Sequence, residues 1–348
     1  MKIDIKSLLP EEIETQFLET GLPKYRAKQV FQALVRGETN FDSMSTLPKD
    51  LRLALNDRYS ISSPQLIKKQ VSSTDKTIKY LWQLSDGNAI ETVVMNYRHG
   101  NTVCISTQVG CRMGCAFCAS AIGGLVRDLT ASEMLDEVLF SQLDSENEIS
   151  NIVLMGIGEP LDNFDNVVRF LKLVNHQDGM NIGMRHISLS SCGLTEKFDK
   201  LASLDLQLTL SISLHAPDDE TRSRLMPVNR KRGVEDLITA CEYYFKQTGR
   251  RISFEYAMID GVNDLPRQAK LLAAQAKKVR AHVNLIPLNH VEEREFRPSK
   301  PESFKAFLRI LEKEGVNVTV RRSLGGDVDA SCGQLRRKAA MDEGIYNN

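Results

Sequence analysis

The spacing of apolar positions changes character twice along the chain. Up to about residue 60 it follows a helical period. One amphipathic segment opens at Leu8–Pro10, a second spans Lys24 to Leu34, and a third opens at Leu47–Pro48 and runs through Leu51, Leu53 and Leu55. Between residues 64 and 98 the pattern alternates, and TIKYLWQL and AIETVVMNY read as the arms of a β-hairpin around Ser85-Asp86-Gly87-Asn88. From residue 101 onward, strand-length apolar runs alternate with helical stretches. The runs are TVCIST, NIVLMG, HISLSS, QLTLSISL, ISFEYAM, HVNLIPL and NVTVRR, with helices expected from Ala131 to about Asp144, over 163–175 and over 301–314. These strands are β-branched or leucine-rich and nearly continuously apolar, as expected when both faces are covered.

Repeated strand–helix units imply an α/β fold with a parallel sheet. Six or seven such units suggest a complete or incomplete (β/α) barrel, whose chemistry belongs at the C-terminal ends of the strands. The expected organisation is a small helical domain over 1–62, a hairpin linker opening the core over 63–100, and a catalytic domain over 101–348. The hydrophobic content of 42% and charged content of 26% are ordinary for a globular protein. No apolar run is long enough for a transmembrane helix. The N-terminus, MKIDIKSLLPEEIETQF, lacks the order of a secretion signal, so no membrane and a cytoplasmic home are expected.

The formal net charge is zero, yet the charges are segregated. Basic clusters lie at Lys24, Arg26, Lys28 and Arg36, at Arg222, Arg224, Arg230, Lys231 and Arg232, and at Arg321, Arg322, Arg336, Arg337 and Lys338. Each reads either as solvated surface or as a contact for nucleic-acid phosphates.

Seven cysteines are present, and Cys104, Cys111, Cys115 and Cys118 fall within fifteen positions. An odd count without a secretion signal favours metal binding or thiol chemistry over structural disulfides. Cys111, Cys115 and Cys118 are spaced Cys-x3-Cys-x2-Cys, just after the strand that opens the βα series. Three thiolates can hold three irons of a [4Fe–4S] cube and leave the fourth open. The amino and carboxylate groups of S-adenosylmethionine (SAM) can chelate an open iron. One electron passed to the sulfonium then yields methionine and a 5′-deoxyadenosyl radical. A structural zinc site is the alternative; with no histidine between Cys104 and Cys118, it would need Cys104 as a ligand. Cys104 also reads as a small buried hydrophobe, and Cys192 and Cys241 read as packing residues.

Other residues are weaker signals one by one. Gly156-Ile157-Gly158-Glu159-Pro160 follows the second strand of the series, where a glycine turn admits a ligand and a carboxylate can bind an ammonium; a plain turn explains it as well. Ser190, Ser213-Leu214-His215 and Asn289 end or follow strands. Each alone reads as a cap or a satisfied polar residue, but their shared placement points to a common ligand. Cys332, in Asp329-Ala330-Ser331-Cys332-Gly333, is either a buried structural cysteine or a reactive loop thiol. Glu91, on an alternating strand, reads as an outward-facing acid.

Cys111, Cys115 and Cys118, with Phe117 before the last, resemble the radical SAM superfamily motif. The run VCISTQVGCRMGCAFCASAIGGLVRDLT is similar to the RlmN/Cfr family of rRNA adenine methyltransferases. The similarity continues through MGIGEPLDN, SISLHAPDDETRSRLMPVN, NLIPLN and VRRSLGGDVDASCGQL, covering nearly the whole chain. It implies a partial (β/α)6 TIM-like barrel with a small N-terminal helical domain, and a [4Fe–4S] cluster on Cys111, Cys115 and Cys118. It implies SAM contacts at Gly158, Glu159, Ser190, Ser213, Leu214, His215 and Asn289, with two SAM molecules used per turnover. Cys332 would carry the methyl group as S-methylcysteine, Cys104 would form a transient disulfide with it, and Glu91 would be the proton acceptor.

In that scheme one SAM methylates Cys332, and a second yields the radical that takes a hydrogen from S–CH3. The S–CH2 radical then adds to the adenine. The implied substrates are an adenine of 23S rRNA near the peptidyl-transferase centre and the adenine just 3′ of the tRNA anticodon, both methylated at C2. A Cfr-type C8 methyltransferase conferring antibiotic resistance is the alternative; Pro160 after Gly158-Glu159 resembles the C2 type. A flavodoxin or ferredoxin donor and a monomeric state are expected. A non-catalytic iron–sulfur or zinc RNA-binding protein would need neither Cys104 nor Cys332. A radical SAM enzyme for a small molecule would not need the basic clusters.

Overall fold

The computed structural model describes residues 2–98, 100–289, 291, 293–322, 324–328 and 333–336. The three N-terminal helices are present as α1 (Pro10–Glu19), α2 (Lys24–Leu34) and α3 (Lys49–Arg58). Pro10 opens α1, where its missing N–H would be unpaired in any case, and Glu12 accepts from the Leu9 N–H at 2.8 Å. Phe17, Val30, Phe31, Leu51 and Leu55 belong to the same continuous apolar core as the barrel strands. A buried ion pair, Lys6 Nζ–Asp136 Oδ1 at 2.5 Å, fastens the N-terminal segment to α4 (Ala131–Ser145).

The main sheet has ten strands: β1 (Gln65–Val71), β2 (Ile78–Gln83), β3 (Ala89–Tyr97), β4 (Gly100–Cys104), β5 (Ile149–Leu154), β6 (Ile187–Ser191), β7 (Thr209–Ser213), β8 (Ile252–Met258), β9 (His282–Pro287) and β10 (Val318–Val320). Their spatial order is the sequence order reversed, β10 to β1. From β4 to β10 every neighbouring pair is parallel. The edges β1 and β10 do not meet, so the barrel is partial. Its outer helices include α4, α5 (Phe164–Asn175), α6 (Phe198–Ala202), α7 (Asp219–Leu225), α8 (Val234–Thr248), α9 (Pro266–Lys278) and α10 (Pro301–Lys313). Thr130 and Glu133 close a capping box at the start of α4.

The hairpin expected over 64–98 is β2–β3, but β1 extends it and β3 pairs antiparallel with β4. Strands β1, β2 and β3 are therefore part of the main sheet. The alternation of polar residues is misleading because Lys79, Glu91 and Thr92 are buried and partnered inside. Among the described residues, no helix is long and apolar enough to cross a membrane.

Candidate active site

The cluster loop begins two strands deep. After β4, residues Gln108–Gly110 and Leu125–Asp128 pair antiparallel and pinch the loop between them. Within it, the Cys111 N–H donates to the Gly124 carbonyl at 2.9 Å, the Ala116 N–H to Leu225 at 2.8 Å and the Cys118 N–H to Cys115 at 3.2 Å. Arg112 grips Asp162 with two nitrogens, Nε at 2.8 Å and Nη2 at 2.5 Å. The Gln108 side chain accepts from the Glu159 N–H at 2.8 Å and donates to Asp162 at 2.9 Å. The Cys loop and the Gly-Ile-Gly-Glu-Pro loop are thus braced as one unit.

A cavity of about 880 Å³, partly open to solvent, lies at the C-terminal ends of the parallel strands. Its wall brings together Cys111, Cys115, Cys118, Gly158, Glu159, Ser190, Ser213 and His215. Gly158 has φ of +111°, and a Cβ there would come within 2.8 Å of the Gln108 backbone nitrogen. Glycine is required at this approach. Glu159 is buried; its carboxylate accepts from the Cys192 N–H at 2.7 Å and the Leu161 N–H at 3.1 Å. Burial raises its pKa, opposed by those amides. His215 adopts φ of +55° and meets the Phe117 ring edge-on, with centroids 4.9 Å apart. Its Nδ1 accepts from the Ala257 N–H at 3.0 Å, and burial pulls its pKa down to about 3, so the ring is neutral.

Two expected contacts do not reach this wall. Leu214 is wholly buried in the core, giving its N–H to the Glu255 carbonyl at 3.1 Å. Asn289 is exposed and is not part of the cavity wall.

The donor set suits an iron–sulfur cluster. Burial first, and then the neighbouring Cys118 and Glu159, push the Cys111 thiol up to about 12; burial, Cys118 and Cys111 raise Cys115 as well. Three sulfurs facing one cavity beside a buried carboxylate call for a strongly cationic partner to hold them as thiolates. Among the described residues, no three His, Cys, Asp or Glu side chains converge to hold one metal ion. A cube takes one thiolate per iron.

Sequence reasoning missed several residues here. Arg222, assigned to a phosphate-binding run, is 1% exposed. Its guanidinium donates to the carbonyls of Cys192 at 2.6 Å and Leu214 at 3.0 Å and to the Asn229 side chain at 2.9 Å, bracing the ends of β6 and β7. Arg224, Arg230, Lys231 and Arg232 of that run are exposed, while Lys24 and Lys28 pair with Glu14 and Asp178. Cys192, read as packing, lines the cavity, whereas Cys241 lies in the core. Glu255, the lone acid in the wholly buried β8, lines the cavity and accepts from Asn284 at 2.8 Å and Ser253 at 2.9 Å. An acid inside a seven-residue apolar strand was the signal for it.

Met155, Glu255 and Arg321 also line a second cavity of about 1030 Å³ inside the barrel. The wall of this second cavity is polar, with exposed Arg185, His186 and Arg251.

Cys332, Arg337 and Lys338 lie outside the described residues, whereas Gly333, which follows Cys332, lies within them. Gly333, with φ of +77°, sits so close to the cluster loop that a Cβ would meet the Ser120 nitrogen at 3.1 Å. Ser120 lines the cluster cavity. Cys104 is buried at the end of β4 with Val93 and Met95, and Leu324 packs against that group. Glu91 is 4% exposed, not outward-facing. Its carboxylate pairs with Lys79 at 2.9 Å and accepts from the Gly333 and Arg336 N–H groups, each at 2.6 Å.

A cluster loop at the mouth of a partial parallel barrel defines a radical SAM site, and residues 105–273 match the Radical SAM superfamily model. The chain is 51% identical over 337 residues to the probable dual-specificity RNA methyltransferase RlmN of Alkaliphilus oremlandii, covering 97% of this chain and 98% of that one. It is 47% identical to the protein of the same name from Clostridium tetani, covering 97% and 96%. It therefore belongs to the RlmN family. A crystal structure of a radical SAM methyltransferase from Sphaerobacter thermophilus superposes with a TM-score of 0.90 at 40% identity, over 95% of this chain and 98% of the other. Membership of this family makes the chain a radical SAM methyltransferase, with a [4Fe–4S] cluster and SAM as its cofactors.

Proposed function

We propose that this chain methylates C2 of an adenine in 23S rRNA and of the adenine 3′ of the tRNA anticodon. The dual-specificity name of its relatives supports two RNA substrates. The observation that carries the reading is the packing of Gly333, the residue after Cys332, against Ser120 on the cluster cavity. Cys332 directly precedes Gly333 in the sequence. A zinc or non-catalytic RNA-binding protein has no use for such a thiol.

Cys111, Cys115 and Cys118 hold the cluster, and Gly158 and Glu159 take the SAM ammonium. Bound together, the cluster and SAM supply a one-electron route to a carbon-centred radical. The residues of the chain do the rest. C2 of adenine is an amidine-type carbon, too electrophilic to take a methyl cation equivalent directly, so the methyl group is first parked on Cys332 as a thioether. That makes two SAM molecules per turnover. A general base accepts the ring proton. The Cys104 thiolate then attacks the Cys332 sulfur: an S–S bond forms, the bond from that sulfur to the product carbon breaks, and the electron pair left on that carbon takes up a proton to complete the methyl group.

The target base has to be splayed out of folded RNA to reach this depth. Arg185, Arg251 and the exposed basic residues after Arg222 are proposed phosphate contacts. A flavodoxin or ferredoxin in the cytoplasm would supply the electrons, and the chain would act as a monomer.

Cys332→Ala tests the scheme. The expected result is no methylated protein and no methylated RNA, with iron content unchanged; turnover by this variant removes the mechanism. Cys104→Ala is expected to trap a covalent protein–RNA adduct. Mass spectrometry and NMR of the methylated nucleoside decide between C2 and C8, and a C8 product would replace the positional assignment.

A further inference from the structure

The three antiparallel strands β1–β3 hold the C-terminal segment at points on both sides of Cys332. Upstream, Asp327 accepts from the Ser72 hydroxyl at 2.6 Å and from the Ser73 N–H and hydroxyl, each at 2.8 Å. The Gly325 N–H donates to Asp75 at 2.7 Å. Downstream, Leu335 is wholly buried against Leu81 and Ala89. Beside it, both oxygens of Glu91 are taken up by the Gly333 and Arg336 amides at 2.6 Å, with the Lys79 ammonium at 2.9 Å. Lys79 is 0% exposed and Glu91 4% exposed. A buried lysine needs an anionic partner, and a carboxylate that accepts backbone amides is held in its ionised form and in one orientation. A general base needs a lone pair aimed at its substrate. Here the lone pairs are aimed at the chain's own backbone.

We infer that Glu91, set by Lys79, is a positioning residue that docks the segment carrying Cys332, and that β1–β3 serve as the cradle for that segment. Glu91 acts through the peptide groups that follow the thiol rather than on the adenine ring. The functional importance of the docking rests on the reading of Cys332 as methyl carrier; the docking itself does not.

The experiment separates the two. Hydrogen exchange of the peptide covering 333–336 is measured in the full chain, together with methyl loading of Cys332 and methylation of RNA. In Glu91→Gln, a neutral amide replaces the charged acceptor, and exchange of that peptide should accelerate about tenfold or more, as expected when a buried charge-assisted hydrogen bond is lost. Loading of Cys332 and RNA methylation should fall together, with no change in the shape of the pH profile.

Because Glu91→Gln also removes the ion pair with Lys79, Leu335→Ala serves as the second variant. It loosens the same anchor from its apolar side, away from any proton transfer, and should give the same paired loss. Unchanged exchange in both variants overturns the inference. So does a Glu91→Gln enzyme that loads Cys332 at the parent rate and stalls with RNA attached, because that is how a missing proton acceptor behaves. A parent chain that never carries methyl on Cys332 would remove the carrier reading, and the exchange data would still decide the docking.

Discussion

The two parts of the sheet that meet at β4 handle buried polar groups differently. From β4 to β10 several of them gather at strand ends, with Glu255 inside β8 as an exception. Glu159, His215 and Arg222 each bond to backbone amides or carbonyls of neighbouring loops, so that several loops share one cavity wall. In β1–β3 the buried polar groups sit in mid-strand, and Lys79 and Glu91 point at a segment more than two hundred residues away in sequence. Parallel strands offer their tips, where the backbone runs out of ladder partners and side chains take over. An antiparallel extension offers a face. The tips enclose the cavity, and the face holds residues 333–336.

This contrast can be broken in several ways. The largest effect is expected from Cys115→Ser. Iron content and SAM cleavage should vanish, while exchange of residues 333–336 stays at the parent level; iron analysis and exchange on one sample check both. If the tail loosens as well, the two regions are not independent.

Arg222→Leu comes next. It leaves the Cys192 and Leu214 carbonyls without their buried donor, and should cost about 3 kcal/mol or more in denaturant unfolding. A loss below about 1 kcal/mol would mean the strand tips are not braced through this side chain.

Acid should act on the parallel part through His215. Its pKa is depressed in the folded state, so below the ordinary value near 6.5 the unfolded chain binds the proton that the folded chain refuses. Stability from this group is present above pH 6.5 and is lost as pH falls toward about 3. The loss between pH 6.5 and 5.5 should be about 1 kcal/mol. His215→Asn should flatten that portion of a pH–stability curve, and an unchanged curve would place the acid sensitivity elsewhere.

The smallest effect is expected from Arg185→Ala and Arg251→Ala. Each should reduce the slope of log affinity for RNA against log salt by about 1 while leaving SAM cleavage untouched. Unchanged slopes would move the RNA path away from the second cavity.

What could be read from the sequence follows from how local each signal is. The three cluster cysteines occupy eight consecutive positions after a strand, and the structure faces all of them into one cavity. Gly158 and Glu159 were visible because their turn follows a strand directly. Glu91 was not, because its burial depends on Lys79 in the paired strand and on Gly333 and Arg336 at the far end of the chain. Arg222 sits in a run of exposed bases and differs from them only in facing inward, which a count of charges cannot detect. Leu214 shares its tripeptide with two wall residues but turns its side chain into the core. The pairing of β3 with β4 was hidden because a hairpin has the same alternation whether it stands alone or extends a larger sheet.

The N-terminal helices and the barrel share one uninterrupted apolar interior, locked by the Lys6–Asp136 pair. Such a joint resists hinging: swinging the helices outward would pull Phe31 off His176 and leave the buried Asp136 without its lysine. Whatever surface those helices grip is held at a set offset from the Cys loop, as by the fixed jaw of a caliper. The reach between those helices and the loop is thus written into the packing.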